Sequence, residues 1–93
     1  MSSYRIFETD EFQKKLNKLI KKDYEFVYKK LKEYIYPQII EEPAFRKNIK
    51  KLKGYNPETW RYRVGDFRIF YSISDKEKIV YILTIDKRKD SCK

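Results

Sequence analysis

The chain has no histidine, one cysteine, two glycines and three prolines in 93 residues. Without histidine, paired-imidazole RNA cleavage, a Ser/His/Asp triad and a Cys/His couple are all excluded. A single cysteine rules out an intramolecular disulfide and a cysteine-rich zinc site. With only Gly54 and Gly65, no glycine-rich phosphate loop can form. No apolar run approaches the ~20 residues of a membrane span, and Met1-Ser2-Ser3-Tyr4 lacks the basic-then-apolar pattern of a secretory signal. The expectation is a soluble, cytoplasmic protein with no membrane partner, no metal and no cofactor.

What the chain does have is positive charge and aromatic rings. Lys and Arg number 23 against 14 Asp and Glu, a formal charge of +9, and nine Tyr, six Phe and one Trp make 17% of the residues. That aromatic content argues for a packed core rather than disorder, and the length fits one domain over residues 1–93. A balance this basic points to nucleic acid, an acidic protein or another anionic surface.

Hydrophobic periodicity sets the order of elements. Tyr4-Arg5-Ile6-Phe7 reads as a short strand. Thr9 or Asp10 can cap a helix whose first turn carries Asp10 and Glu11, and Phe12, Leu16, Leu19 and Ile20 form its apolar stripe. A second helix begins near Asp23 with Val27, Leu31, Tyr34 and Ile35 as its stripe. Pro37 is expected to end or kink it, with Ile39 to Pro43 as a turn. Phe26, Tyr28 and Tyr36 lie off these stripes and either complete the core or offer docking points. Residues 46–53 hold five positive charges and no negative one, and the loop through Asn56-Pro57 follows. Trp60 to Val64 and Phe67 to Ile73 flank Gly65-Asp66, a two-residue hairpin signal. Ser74 to Lys78 is a polar turn, and the apolar run Ile79 to Ile85 suits a strand covered on both faces. Strand, two helices and a three-strand meander make an α+β domain.

The hairpin carries the sharpest functional inference. With Gly65 and Asp66 as the loop, Val64 pairs with Phe67, Arg63 with Arg68 and Tyr62 with Ile69. Trp60, Tyr62, Val64, Phe67, Ile69 and Tyr71 then share the core face. Arg61, Arg63, Arg68 and Phe70 share the other. Facing arginines cost roughly 0.2–1 kcal/mol, an arrangement that makes sense if a phosphodiester sits between the guanidinium groups. The competing reading is a solvated basic face that resists edge aggregation. Glu41 and Glu42 are adjacent and point apart, so they read as surface charge. Any catalysis must draw on cations, with a lysine or a thiol for proton transfer.

The segment Ile49-Lys50-Lys51-Leu52-Lys53-Gly54, followed by Trp60-Arg61-Tyr62-Arg63-Val64-Gly65-Asp66-Phe67-Arg68-Ile69-Phe70-Tyr71, resembles the RelE/ParE toxin superfamily. The ending Ile85-Asp86-Lys87-Arg88-Lys89-Asp90-Ser91-Cys92 is similar to that family's C-terminal motif, and the likeness covers essentially the whole chain. The resemblance implies a β-α-α-β-β-β fold, with two N-terminal helices packed on a small, mainly antiparallel sheet. It implies the toxin of a type II toxin–antitoxin system, a metal-independent, ribosome-dependent endoribonuclease acting on mRNA in the A site. The partner it implies is a cognate acidic, RelB-like antitoxin. Within the same superfamily, a ParE-like inhibitor of DNA gyrase is the alternative; a catalytically weak, basic nucleic-acid-binding module is another. Residue by residue, Arg61, Arg63, Arg68 and Arg88 match the family's active-site arginines. Lys53 matches its RNA-contacting basic residue, beside Lys50, Lys51 and Phe70. Where relatives have His, this chain has Lys87, and where they have an acid–base Tyr or His, it has Cys92. If those positions carry proton transfer, this chain must use Lys87, a Cys92 thiolate or another residue, or be slow or inactive.

Overall fold

Thr9 fixes the junction between the first strand and the first helix. In the computed structural model, which describes residues 3–41, 49–54 and 58–87, strand β1 (Arg5–Glu8) leads into helix α1 (Asp10–Asn17). The Thr9 hydroxyl accepts from the Phe12 N–H at 3.3 Å and lies 2.8 Å from the Ile82 carbonyl. It caps the helix and ties it to the sheet in one stroke. Phe12 and Leu16, one turn apart, are the buried face of α1.

The second helix is one helical rod in three pieces: α2 (Lys21–Lys30), a π turn (Leu31–Ile35) and α3 (Tyr36–Glu41). Pro37 does not end it, and Ile39–Glu41 are helical rather than a turn. The physical reason is the π turn, in which the Tyr36 N–H reaches back five residues to the Leu31 carbonyl. Proline's ring clashes with the carbonyl four residues earlier, here Glu33, and the widened turn displaces it. The same turn keeps Val27, Leu31, Ile35 and Ile39 buried. In a plain α-helix each four-residue step advances about 40° beyond a full turn and would wind the row off the sheet. Tyr34, expected on the apolar stripe, is 56% exposed instead. Tyr36 turns inward, donating to Glu8 at 2.6 Å. Burial and that carboxylate push its phenol well above the ordinary range.

The sheet has five strands in the order β1-β5-β4-β3-β2, parallel only between β1 and β5. Strands β3 (Thr59–Val64), β4 (Phe67–Ser74) and β5 (Ile79–Lys87) form the expected meander. An additional strand, β2 (Ile49–Leu52), extends it beside β3 within the basic run. Strand β5 is an interior strand, between β1 and β4, and is not buried on both faces: Ile79, Tyr81 and Thr84 are only half-buried. A register shift after Phe70 leaves Leu83 as an extra residue, since Phe70 faces Thr84 and Tyr71 faces Ile82. Tyr62, Val64, Phe67, Ile69, Tyr71, Val80, Ile82 and Ile85 meet the helices in one core. Each such fully buried aliphatic or Phe side chain is worth about 1.5–3 kcal/mol. Among the described residues no helix is long and apolar enough to cross a membrane.

Candidate functional site

The hairpin forms in the register read from the sequence. Val64 faces Phe67, Arg63 faces Arg68, Tyr62 faces Ile69 and Arg61 faces Phe70. Gly65 takes φ +58°, the left-handed value required at the first central position of a type II′ turn. Burial alternates accordingly. Tyr62, Val64, Phe67, Ile69 and Tyr71 are buried, while Arg63 is exposed and Arg61, Arg68 and Phe70 are half-buried.

Arg61, Arg63 and Arg68, with Gly65, Asp66 and Phe67, line a depression of about 190 Å³ on the side of the sheet away from the core. None of the three arginines forms an ion pair with a described residue. The nearest cross-strand carboxylate, Asp86, faces Arg68, yet its Oδ1 lies 3.4 Å from Lys15 Nζ at the end of α1. More telling, the Nε atoms of Arg61 and Arg68 are buried without a hydrogen-bond partner. A buried, unpaired donor costs about 1–3 kcal/mol, more when it is charged. Such unpaired donors call for an explanation, and an anion bound by the same guanidinium groups is one. Two guanidinium forks at one depression suit a phosphate, which accepts in-plane paired hydrogen bonds.

The other sequence-identified residues divide by register. Lys50 faces Arg61 across β2–β3 and joins the arginine face. Lys51 faces Trp60 instead. Its Nζ pairs with Glu58 at 2.9 Å and stands 5.6 Å from the Trp60 ring, so it belongs to the opposite side. Lys53 is exposed in the turn after β2, at the end of the ribbon remote from Gly65. Lys87 is also on the core side, opposite Phe67. Its Nζ lies 3.2 Å from Asp23 Oδ2 of α2, on the side of the sheet away from the arginines. Arg88 and Cys92 lie outside the described residues. Thr84 was not singled out from the sequence. It faces Phe70 on the arginine side, and its Oγ1 is buried without a partner. The signal was present, as Thr84 is the sole hydroxyl-bearing aliphatic in the run Ile79–Ile85.

Comparison with known proteins identifies relatives of the whole fold. The archaeal RelE–RelB complex from Pyrococcus horikoshii contains a chain 27% identical to this one, with TM-score 0.72, covering 96% of this chain and 99% of that one. A chain of the toxin–antitoxin complex RelBE2 from Mycobacterium tuberculosis is 26% identical with TM-score 0.72, covering 92% and 99%. The isolated E. coli RelE toxin, 23% identical with TM-score 0.71 over 97% and 89% of the two chains, shares the fold. A search of curated protein sequences returns no match. The family model described as the ParE toxin of the type II toxin–antitoxin system parDE matches residues 6–91. That match spans nearly every element described above, the arginine hairpin included, and this chain belongs to the ParE toxin family, with the fold of the RelE toxins.

Proposed function

We propose that this toxin is an endoribonuclease that cuts messenger RNA in the ribosomal A site. Arg61, Arg63 and Arg68 hold the scissile phosphate, and the family resemblance assigns Arg88 to the same cluster. The 2′-OH attacks its own adjacent phosphorus, the bond to the 5′ oxygen breaks, and the products are a 2′,3′-cyclic phosphate and a 5′-OH. One proton leaves the 2′ oxygen and one reaches the departing 5′ oxygen. The nucleophile resides in the substrate, so the chain's main task is to stabilise charge growing on the phosphoryl oxygens. Losing one preorganised donor of this kind commonly costs roughly 10²–10³ in rate.

The observation that carries this reading is the pair of buried, unpartnered Nε donors of Arg61 and Arg68 beside Arg63. Lys87 does not enter the proton transfers, since it is held by Asp23 on the other face. Cys92 is the proposed proton-transfer group of the tail. The ribosome supplies positioning that a site without imidazole lacks. The inhibiting partner is an acidic antitoxin, complementary to a chain of net charge +9.

The match to the ParE family model favours a second reading, inhibition of DNA gyrase on the same fold. Two assays in parallel separate them. Programmed ribosomes read by primer extension should show cut message, and a gyrase supercoiling assay should be unaffected. Arrested supercoiling with intact message would reverse the assignment.

A further inference from the structure

The arginine depression is one end of a longer surface. Register carries the same face across the sheet: Phe70 lies opposite Thr84, and two residues further along β4 Ser72 lies opposite Tyr81. Tyr81 in turn lies beside Phe7, and Ile79 beside Arg5, on the edge strand β1. Phe7 is 54% exposed. Its ring meets Tyr81 edge to face, with centroids 5.7 Å apart and planes at 68°. The Tyr81 hydroxyl donates to Glu77 Oε1 at 2.7 Å, which anchors the ring against the strand. Between the arginines and these rings sits the unpartnered Thr84 hydroxyl. Among the described residues, the cations on this face are Arg5, Lys50, Arg61, Arg63 and Arg68; the carboxylates beside them are Asp86 opposite Arg68, Asp66 at the depression and Glu77 at the Tyr81 hydroxyl.

Cations tracking a backbone, interleaved with aromatic faces, are what single-stranded nucleic acid needs, because every base can stack whatever its sequence. Strands spaced about 4.8 Å apart put β1 roughly 15 Å from β3. A four-stranded RNA-recognition sheet stacks two or three bases on a surface of this kind. We propose that the open face of the sheet is a track for single-stranded RNA. It would run from the arginine depression to β1, with Phe70, Tyr81 and Phe7 as successive stacking positions and Arg5 as the outermost phosphate contact. The track rests on the endoribonuclease reading and extends it by naming a path for the strand beyond the scissile phosphate.

The test uses the full chain and non-cleavable 2′-O-methyl oligouridylates of two to six nucleotides, with binding followed by fluorescence anisotropy. Affinity should rise with length and then level off. Phe7→Ala and Tyr81→Ala should each remove the gain from the added nucleotides, roughly tenfold per lost stacking position, and leave dinucleotide affinity unchanged. Tyr81→Phe, which keeps the ring and loses only the hydroxyl, should bind like the parent. Arg5→Ala, at an exposed position whose loss does not touch the core, should lower the salt slope by about 0.7 for the longer oligomers alone. Equal affinity for all lengths, or equal weakening at every length in the alanine variants, overturns the track while leaving the arginine site standing. No binding of any oligomer by the parent overturns the track together with the nuclease reading. Should Phe7→Ala and Tyr81→Ala spare RNA but weaken antitoxin binding, the face belongs to the protein partner and the track is wrong.

Discussion

Replacing Arg63 by Glu should make the protein more stable and far less active. Arg63 faces Arg68 directly across the β3–β4 ribbon, where like charges cost roughly 0.2–1 kcal/mol and opposite charges return a similar amount. Arg63 is exposed, so water screens both terms, and the lower half of the combined range applies, about 0.5–1 kcal/mol. For a domain of 93 residues that shifts the melting temperature upward by about 2–8 °C. The gain should shrink in 1 M salt, where the Debye length is only ~3 Å. Cleavage of ribosome-bound message should fall by roughly 10²–10³, the usual cost of one lost charge-stabilising donor. Thermal denaturation at low and high salt, with primer extension on the same preparation, reads both effects. A variant that melts lower than the parent, or that cuts at the parental rate, would refute the idea that the arginines oppose each other for the sake of an anion.

Three further outcomes follow from the geometry. Lys87→Ala should leave cleavage within about threefold and cost roughly 1 kcal/mol, because Lys87, itself half exposed, pairs with the partly buried Asp23; a loss of 10² or more in primer extension would return it to the active site. Gly65→Ala should destabilise by about 1–2 kcal/mol from its left-handed backbone, and by more than Gly54→Ala. Both glycines have positive φ, but only at Gly65 would the new methyl lie 3.1 Å from the Phe26 ring; equal melting shifts would deny that contact. Stability should be flat from neutral pH to about 9 and fall above pH ~10. Burial and Glu8 hold the Tyr36 phenol protonated in the fold, and burial does the same for Tyr71, whereas the unfolded chain ionises there. Tyr36→Phe should make that fall shallower in pH-dependent melting, and an unchanged slope would show that Tyr36 is not its source.

How much was legible in the sequence depended on whether local signals agreed. Gly65-Asp66 set the hairpin register, and strict alternation on both sides of it fixed the faces of six core residues and three arginines. Thr9 announced its helix through the acidic turn that follows. The helix containing Pro37 misled, because a π turn leaves no residue-level mark and proline's usual effect is to stop a helix. Strand β2 was hidden by charge: Ile49 and Leu52 are three apart, a helical rather than a strand spacing, with two lysines between them. The extra residue Leu83 shifts the parity of β5, so simple alternation along that strand does not give the face of Lys87. The unpaired state of Arg61 and Arg68 is a property of burial in three dimensions, which no spacing reveals.

The account stands or falls on a phosphate lying between Arg63 and Arg68. The direct measurement is single-turnover cleavage of message on programmed ribosomes by the parent chain and by Arg68→Ala, with end-group analysis of the cut and melting curves of both proteins. The account requires a 2′,3′-cyclic phosphate end, a rate lower by roughly 10²–10³ in the variant and no loss of stability. Cleavage by Arg68→Ala at the parental rate, or no cleavage by the parent at all, would contradict it.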